Sequence, residues 1–132
     1  MATVTESALQ AKTMMPSLTV DDVQASIRFF EGLGFAVEER WEDNGTLNGV
    51  MLRAGDARIG LSQDDWKKGR DRKKGVGMRI FIETAQNIDD LAARARQAGV
   101  KLEAEPHDTE WGSRAFEVTE PSGFTLTISS PS

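Results

Sequence analysis

His107 is the only histidine in the 132-residue chain, and there is no cysteine. Those two facts remove most familiar site chemistry. Disulfides, thiolate-bound zinc or iron–sulfur centres and thiol nucleophiles are excluded, and a multi-histidine metal centre cannot be built. The remaining candidate acids and bases are Glu110, Glu117 and His107, and none stands at a recognisable spacing from a nucleophile. His107 falls in Glu105-Pro106-His107-Asp108, which reads as a solvated loop. No catalytic residue is assigned, and binding is favoured over catalysis. Three tryptophans offer a different chemistry. Trp41, Trp66 and Trp111 all fall at the ends of expected elements, where an aromatic face can stack on a planar or cationic ligand.

Those residues need a scaffold, and the hydrophobic periods supply one. Val23, Ile27 and Phe30 recur at helical spacing behind Asp21 or Asp22 as cap, and Gly34 stops the run. Ile88, Leu91, Ala95 and Ala98 form a second helical stripe behind Asn87 or Asp89, stopped by Gly99. Period-two strands precede each helix at 17–20 and 79–82. Each stop glycine is followed by a further strand, and then by a hairpin. The hairpins turn at Gly55-Asp56 and at Pro121-Ser122-Gly123. Gly34 matches Gly99, Leu52 matches Val118, Ile59 and Leu61 match Leu126 and Ile128, and Leu18 matches Phe81, at offsets of 63 to 67 residues. The chain therefore reads as α+β, with two βαβββ modules whose mixed sheets pair. A flexible arm covers 1–13, a single domain 14–131, with module 1 at 14–63, a linker at 64–75 and module 2 at 76–131.

A sheet with one helix has one covered face and one free face. Alternation sends Leu18, Val20, Val50, Leu52, Ile59, Leu61, Phe81, Val118, Leu126 and Ile128 to the helices. The free faces then carry Met51, Arg53, Ser62, Met78, Ile80, Glu117 and Thr127 among small hydroxyl residues. This mixture of adaptable apolar and orienting polar groups suits a small-molecule cleft. Met51, Met78, Ile80, Trp111 and Trp41 would bury the ligand, with Trp66 beside them. Arg53, Glu117, Ser62 and Thr127 would orient it.

Charge narrows the partners. The formal net charge is −5, which disfavours nucleic acid and permits a cationic ligand. Lys67 to Lys74 are locally basic, but without groove-entering or aromatic neighbours the segment reads as a solvated, mobile linker. No apolar run approaches the roughly 20 residues needed to span a bilayer. No basic start with an apolar run marks a secretory signal, so a cytoplasmic location is expected.

Two segments carry a resemblance: P-S-L-T-V-D-D-V-x-x-S-I-x-F-F-x-x-L-G-F at 16–35, and W-G-S-R-x-F-x-V-x-E-P-S-G-F at 111–124. Together they resemble the vicinal oxygen chelate superfamily of glyoxalases, extradiol dioxygenases and bleomycin resistance proteins. The bleomycin resistance branch is nearest, although its usual D-P-x-G-N turn reads E-P-S-G-F here. The resemblance implies a homodimer, often with modules or arms exchanged, and places the Trp111-Gly112 segment beside the ligand. It also implies metal-ligand slots on the first and last strands of each module. Those slots fall on Met15, Gly60, Met78 and Thr127, none of which is a normal ligand for a hard or borderline divalent cation. No metal or cofactor is expected. The function so read is sequestration of a small hydrophobic or cationic molecule, an antibiotic among the candidates. The alternative is a metal-dependent lyase, dioxygenase or thiol transferase of the same fold.

Overall fold

A computed structural model describes residues 6–131. Of the arm, 1–5 lie outside the described residues, and 6–16 have no regular structure. The order of elements is β1 (Ser17–Val20), α1 (Val23–Leu33), β2 (Ala36–Asp43), β3 (Thr46–Ala54), β4 (Ala57–Gln63), β5 (Arg79–Glu83), α2 (Ile88–Gln97), β6 (Leu102–Asp108), β7 (Ser113–Thr119) and β8 (Thr125–Pro131). They form two four-stranded sheets with orders β1-β4-β3-β2 and β5-β8-β7-β6. In each, the first strand pairs parallel with the last and the other pairs are antiparallel. The fold is α+β, with one βαβββ unit per sheet.

Local chemistry sets the helix ends. Asp22 caps α1 by accepting from the backbone N–H groups of Gln24 and Ala25, and Gly34 closes it at φ +109. Asn87 caps α2 through the N–H of Asp90. The apolar stripe of α1 (Val23, Ile27, Phe30) lies on Leu18, Val20, Val50, Leu52, Ile59 and Leu61, all buried. Ile88, Ala92 and Ala95 of α2 do the same over Val118, Leu126 and Ile128. Each fully buried side chain of this size contributes about 1.5–3 kcal/mol.

The two sheets share no strand pair. Helix α1 instead meets α2 and the turn after it at Gly32, where an added Cβ would stand 2.7 Å from Val100 Cγ2. The β7–β8 turn adds further ties. Buried Glu120 accepts from the Ser26 hydroxyl of α1 and from the N–H of Ser122 at 2.6 Å, and the Ser122 hydroxyl accepts from the N–H of Asp21 at 2.8 Å.

The linker is not the free segment its composition predicts. The Lys74 side chain is only 5% exposed, pairs with Asp21, and lies 2.9 Å from Asp64. Its ammonium also stands 4.6 Å from the centre of the Trp66 ring, with Arg70 at 4.8 Å. Gly75 packs against the backbone of Gly123, where any Cβ would collide. A run of cations reads as solvated, but this one carries a lysine that finds two carboxylates and an indole, and that clasp fixes both ends of the segment.

Candidate functional site

Register decides which side chains share a free face, because directly paired residues point the same way. In the first sheet Ser17 pairs with Gly60 and Thr19 with Ser62. Gly60 and Gly49 then pair with Met51 and Ser62, and Trp41 with Gly49. One face therefore carries Ser17, Thr19, Trp41, Met51, Gly60 and Ser62. Gly49 gives the Trp41 indole room, since a Cβ there would lie 3.2 Å from the ring and 2.7 Å from the Leu61 carbonyl oxygen. Arg53 and Arg58 sit opposite each other on the same face. A register shift between Val37 and Glu39 brings Glu38 to both, at 3.5 and 3.1 Å, so Arg53 is held in a surface ion pair.

The second sheet forms a shallow cup of about 220 Å³. Phe81 pairs with Thr127, Thr127 with Glu117, and Ala115 with His107. The floor is polar: Arg79 is ion-paired with Glu117, and its Nη1 donates to the Thr127 hydroxyl at 3.0 Å. The walls are aromatic, with Phe81 67% and Trp111 73% exposed. Trp111 sits on the β6–β7 turn, which is closed by the N–H of Thr109 donating to the Ser113 carbonyl at 2.8 Å. Arg114 braces this hairpin. It donates two hydrogen bonds to Asp89 at the start of α2, at 2.6 and 2.9 Å, and one to Asp108 at 3.1 Å. That bidentate hydrogen bond holds the Asp89 carboxyl below its ordinary range and raises the Arg114 guanidinium above its own.

Two sequence readings change here. The alternation of β5 is inverted: Ile80 and Ile82 pack against the core, while Phe81 faces out. Three consecutive apolar residues gave no internal phase, and matching Leu18 to Phe81 slipped the repeat by one residue, which exchanges the two faces. Ile80 therefore belongs to the core and not to the cup. His107 is not in a loop. It lies within β6, an edge strand whose register shifts accommodate Pro106. Arg79, Phe81, His107, Thr109 and Ala115 are the cup residues that the alternation missed.

The other expected site residues divide. Trp111, Glu117 and Thr127 meet in the cup. Trp41, Met51, Arg53 and Ser62 share the free face of the other sheet. Met78 precedes β5, exposed and outside the cup lining. Trp66 stands in the linker at φ +62, under Lys74 and Arg70, apart from both faces. A larger groove of about 750 Å³ runs between the modules, where Phe35 and Ala54 face Ile82 and Leu91; it contains none of the expected site residues.

The fold order, the paired βαβββ units and the free sheet faces are now matched by sequence. Residues 11–128 fit the profile of the Glyoxalase/Bleomycin resistance protein/Dioxygenase superfamily. The chain belongs to that superfamily. Among curated proteins none matches the chain. Solved structures of the same fold include TioX from Micromonospora sp. ML1, at 17% identity and TM-score 0.73, covering 91% of this chain and 98% of that one. A bleomycin-binding protein complexed with bleomycin aligns at 16% identity and TM-score 0.68, over 92% and 100% of the two chains. Lactoylglutathione lyase from Agrobacterium tumefaciens aligns at 15% identity and TM-score 0.64, over 91% and 94%. The superfamily thus spans binders and enzymes.

Metal chemistry does not fit the donors present. Gly60 and Thr127 lie on the free faces and Met15 and Met78 just before the first strands, and none offers a carboxylate or imidazole. Among the described residues no three His, Cys, Asp or Glu side chains converge. No helix among them is long and apolar enough to cross a membrane.

Proposed function

We propose that this chain binds and sequesters a small hydrophobic or cationic molecule, an antibiotic among the candidates, without transforming it. The observation that carries the reading is the cup of the second sheet, where Phe81 and Trp111 flank the Arg79–Glu117–Thr127 floor. Aromatic walls over a matched polar floor suit a flat guest, which gains area from the rings and orientation from the floor. A bleomycin-binding neighbour of the same fold supports ligand binding as a use of this architecture. The donor set argues against the metal-dependent lyase, dioxygenase or transferase alternative, because a Lewis acid would find no carboxylate or imidazole in its slots.

The working form in this reading is a homodimer in the cytoplasm. The modules of one chain join through α1, α2 and the β7–β8 turn, and the cup is lined by the second module alone. A second copy would bring the Trp41–Met51–Ser62 face over the Phe81–Trp111 cup and enclose the ligand between them. Sequestration then needs affinity and abundance, with no turnover.

Tryptophan fluorescence and calorimetry with metal-free bleomycin and a panel of planar cationic drugs test this. Saturable binding with the ligand recovered unchanged is the expected result. No response from any compound would overturn the reading, as would a stoichiometric divalent metal in protein purified without added metal.

A further inference from the structure

We infer that His107 is a specificity-determining acceptor of the cup, and that the ligand is a planar aromatic carrying an N–H donor beside a carbonyl acceptor, as in an aromatic amide. The inference rests on the cup as the binding site and names what that site selects.

The argument begins with a proton. His107 Nδ1 lies 2.8 Å from the backbone carbonyl oxygen of Glu105. A carbonyl can only accept, so Nδ1 carries the hydrogen. In the neutral ring Nε2 is then a bare lone pair, and among the described residues no side chain or backbone group bonds it. The other acceptors of the cup are engaged in part. Glu117 Oε1 is ion-paired with Arg79, Thr127 accepts from Arg79, and the Thr109 hydroxyl bonds Ser113, while Glu117 Oε2 makes no hydrogen bond among the described residues. Arg79 keeps unused N–H groups, because a guanidinium has five and only Nη1 is committed. The cup thus offers two kinds of spare acceptor, the neutral His107 Nε2 and the charged Glu117 Oε2, and a set of spare donors between two aromatic walls. An amide on a flat ring complements both, and a donor-free ring would leave Nε2 unmatched when water is displaced.

Because the chain has one histidine, nitrogen NMR of the imidazole reads its tautomer without ambiguity. At pH 8 the Nδ1–H form is expected in the free protein; the Nε2–H form would overturn the inference. The ligand arm uses 2-naphthamide against N,N-dimethyl-2-naphthamide, followed by tryptophan fluorescence. Wild type should prefer the primary amide about tenfold at pH 8. His107→Phe, which keeps a ring and removes the acceptor, should reduce the preference severalfold, and His107→Gln, with a side-chain carbonyl, should restore part of it. Equal binding of both probes by wild type, or an unchanged preference in His107→Phe, overturns the role of His107 while leaving the cup as a binding site. Failure of both probes to bind wild type overturns the cup reading and this inference with it.

Discussion

Phe81 projects into solvent while its neighbour Ile80 packs on the core, so alanine at the two positions should register in different measurements. Phe81→Ala should leave the melting temperature nearly unchanged and weaken binding of a planar ligand about five- to tenfold, by removing one stacking wall. Ile80→Ala should cost about 1–2 kcal/mol of stability, less than a fully buried deletion because the side chain is only partly covered, and leave affinity near wild type. The reverse pattern in thermal melts and titrations would mean that β5 buries Phe81 and turns Ile80 outward.

Lys74 is the other residue with a sharp signature. Its hydrogen bond, followed by that from the Trp66 N–H, holds the Asp64 carboxyl below its ordinary value despite burial. Burial pushes the Lys74 ammonium down, but Asp21 and Asp64 outweigh it and the net shift is upward. The signs follow from linkage. The Asp64 contribution is complete above an ordinary carboxylate value of about 4 and disappears as pH falls through its lower folded value. The Lys74 contribution is complete below about 10.4 and disappears as pH rises through its higher folded value. Stability should therefore be level between these limits and fall on both sides. Lys74→Met should lower the melting temperature at pH 7 and flatten both limbs; a parallel curve at every pH would show that the clasp contributes only packing.

At the scale of elements, Gly32 tests how the modules are held together. Alanine there would improve the helix propensity of α1 by about 1 kcal/mol. It would also place a methyl group 2.7 Å from Val100 Cγ2, on a buried β-branched side chain with little freedom to move. Overpacking of this kind costs about 1–3 kcal/mol. Gly32→Ala should therefore be destabilising on balance, while Val100→Ala in the same chain should relieve the clash, and a double-mutant cycle would show the coupling. Neither Gly32 nor Val100 announced this contact in the sequence. What the sequence did carry was anything repeated or capped: Asp22, Gly34 and Asn87 mark helix ends by chemistry local to a few residues, and the strand alternation of β3, β4, β7 and β8 fixed their faces. It failed where the signal was not local. Ile80-Phe81-Ile82 has no internal phase, so its orientation depends on which residue of β8 it meets. His107 looked like a loop residue because Pro106 precedes it, and only the edge position of β6 makes that proline tolerable. Trp111, Glu117 and Thr127 were legible as a group; Arg79, which neutralises Glu117, was hidden behind the inverted β5.

For the whole molecule, the question is whether one chain or two make the binding chamber. Within one chain the Trp41–Met51 face and the Phe81–Trp111 cup belong to separate sheets, joined through α1, α2 and the β7–β8 turn. A dimer that pairs unlike faces would contain two chambers, each built from both copies. This makes a complementation experiment decisive. Trp41→Ala with Met51→Lys damages only the first face, and Phe81→Ala with Trp111→Ala damages only the cup. Either variant alone should bind a planar ligand poorly at every site. Mixed after brief unfolding and refolding, half of the dimers will be heterodimers. Each of these has one chamber with both damaged faces and one with none. Calorimetry should then recover high-affinity sites at about a quarter of the wild-type number, since half the dimers regain one of two chambers. No recovery, with dimers confirmed by sedimentation, would place each chamber inside a single chain or on a single sheet. Monomers at micromolar concentration would remove the two-copy chamber altogether and leave the cup open to solvent.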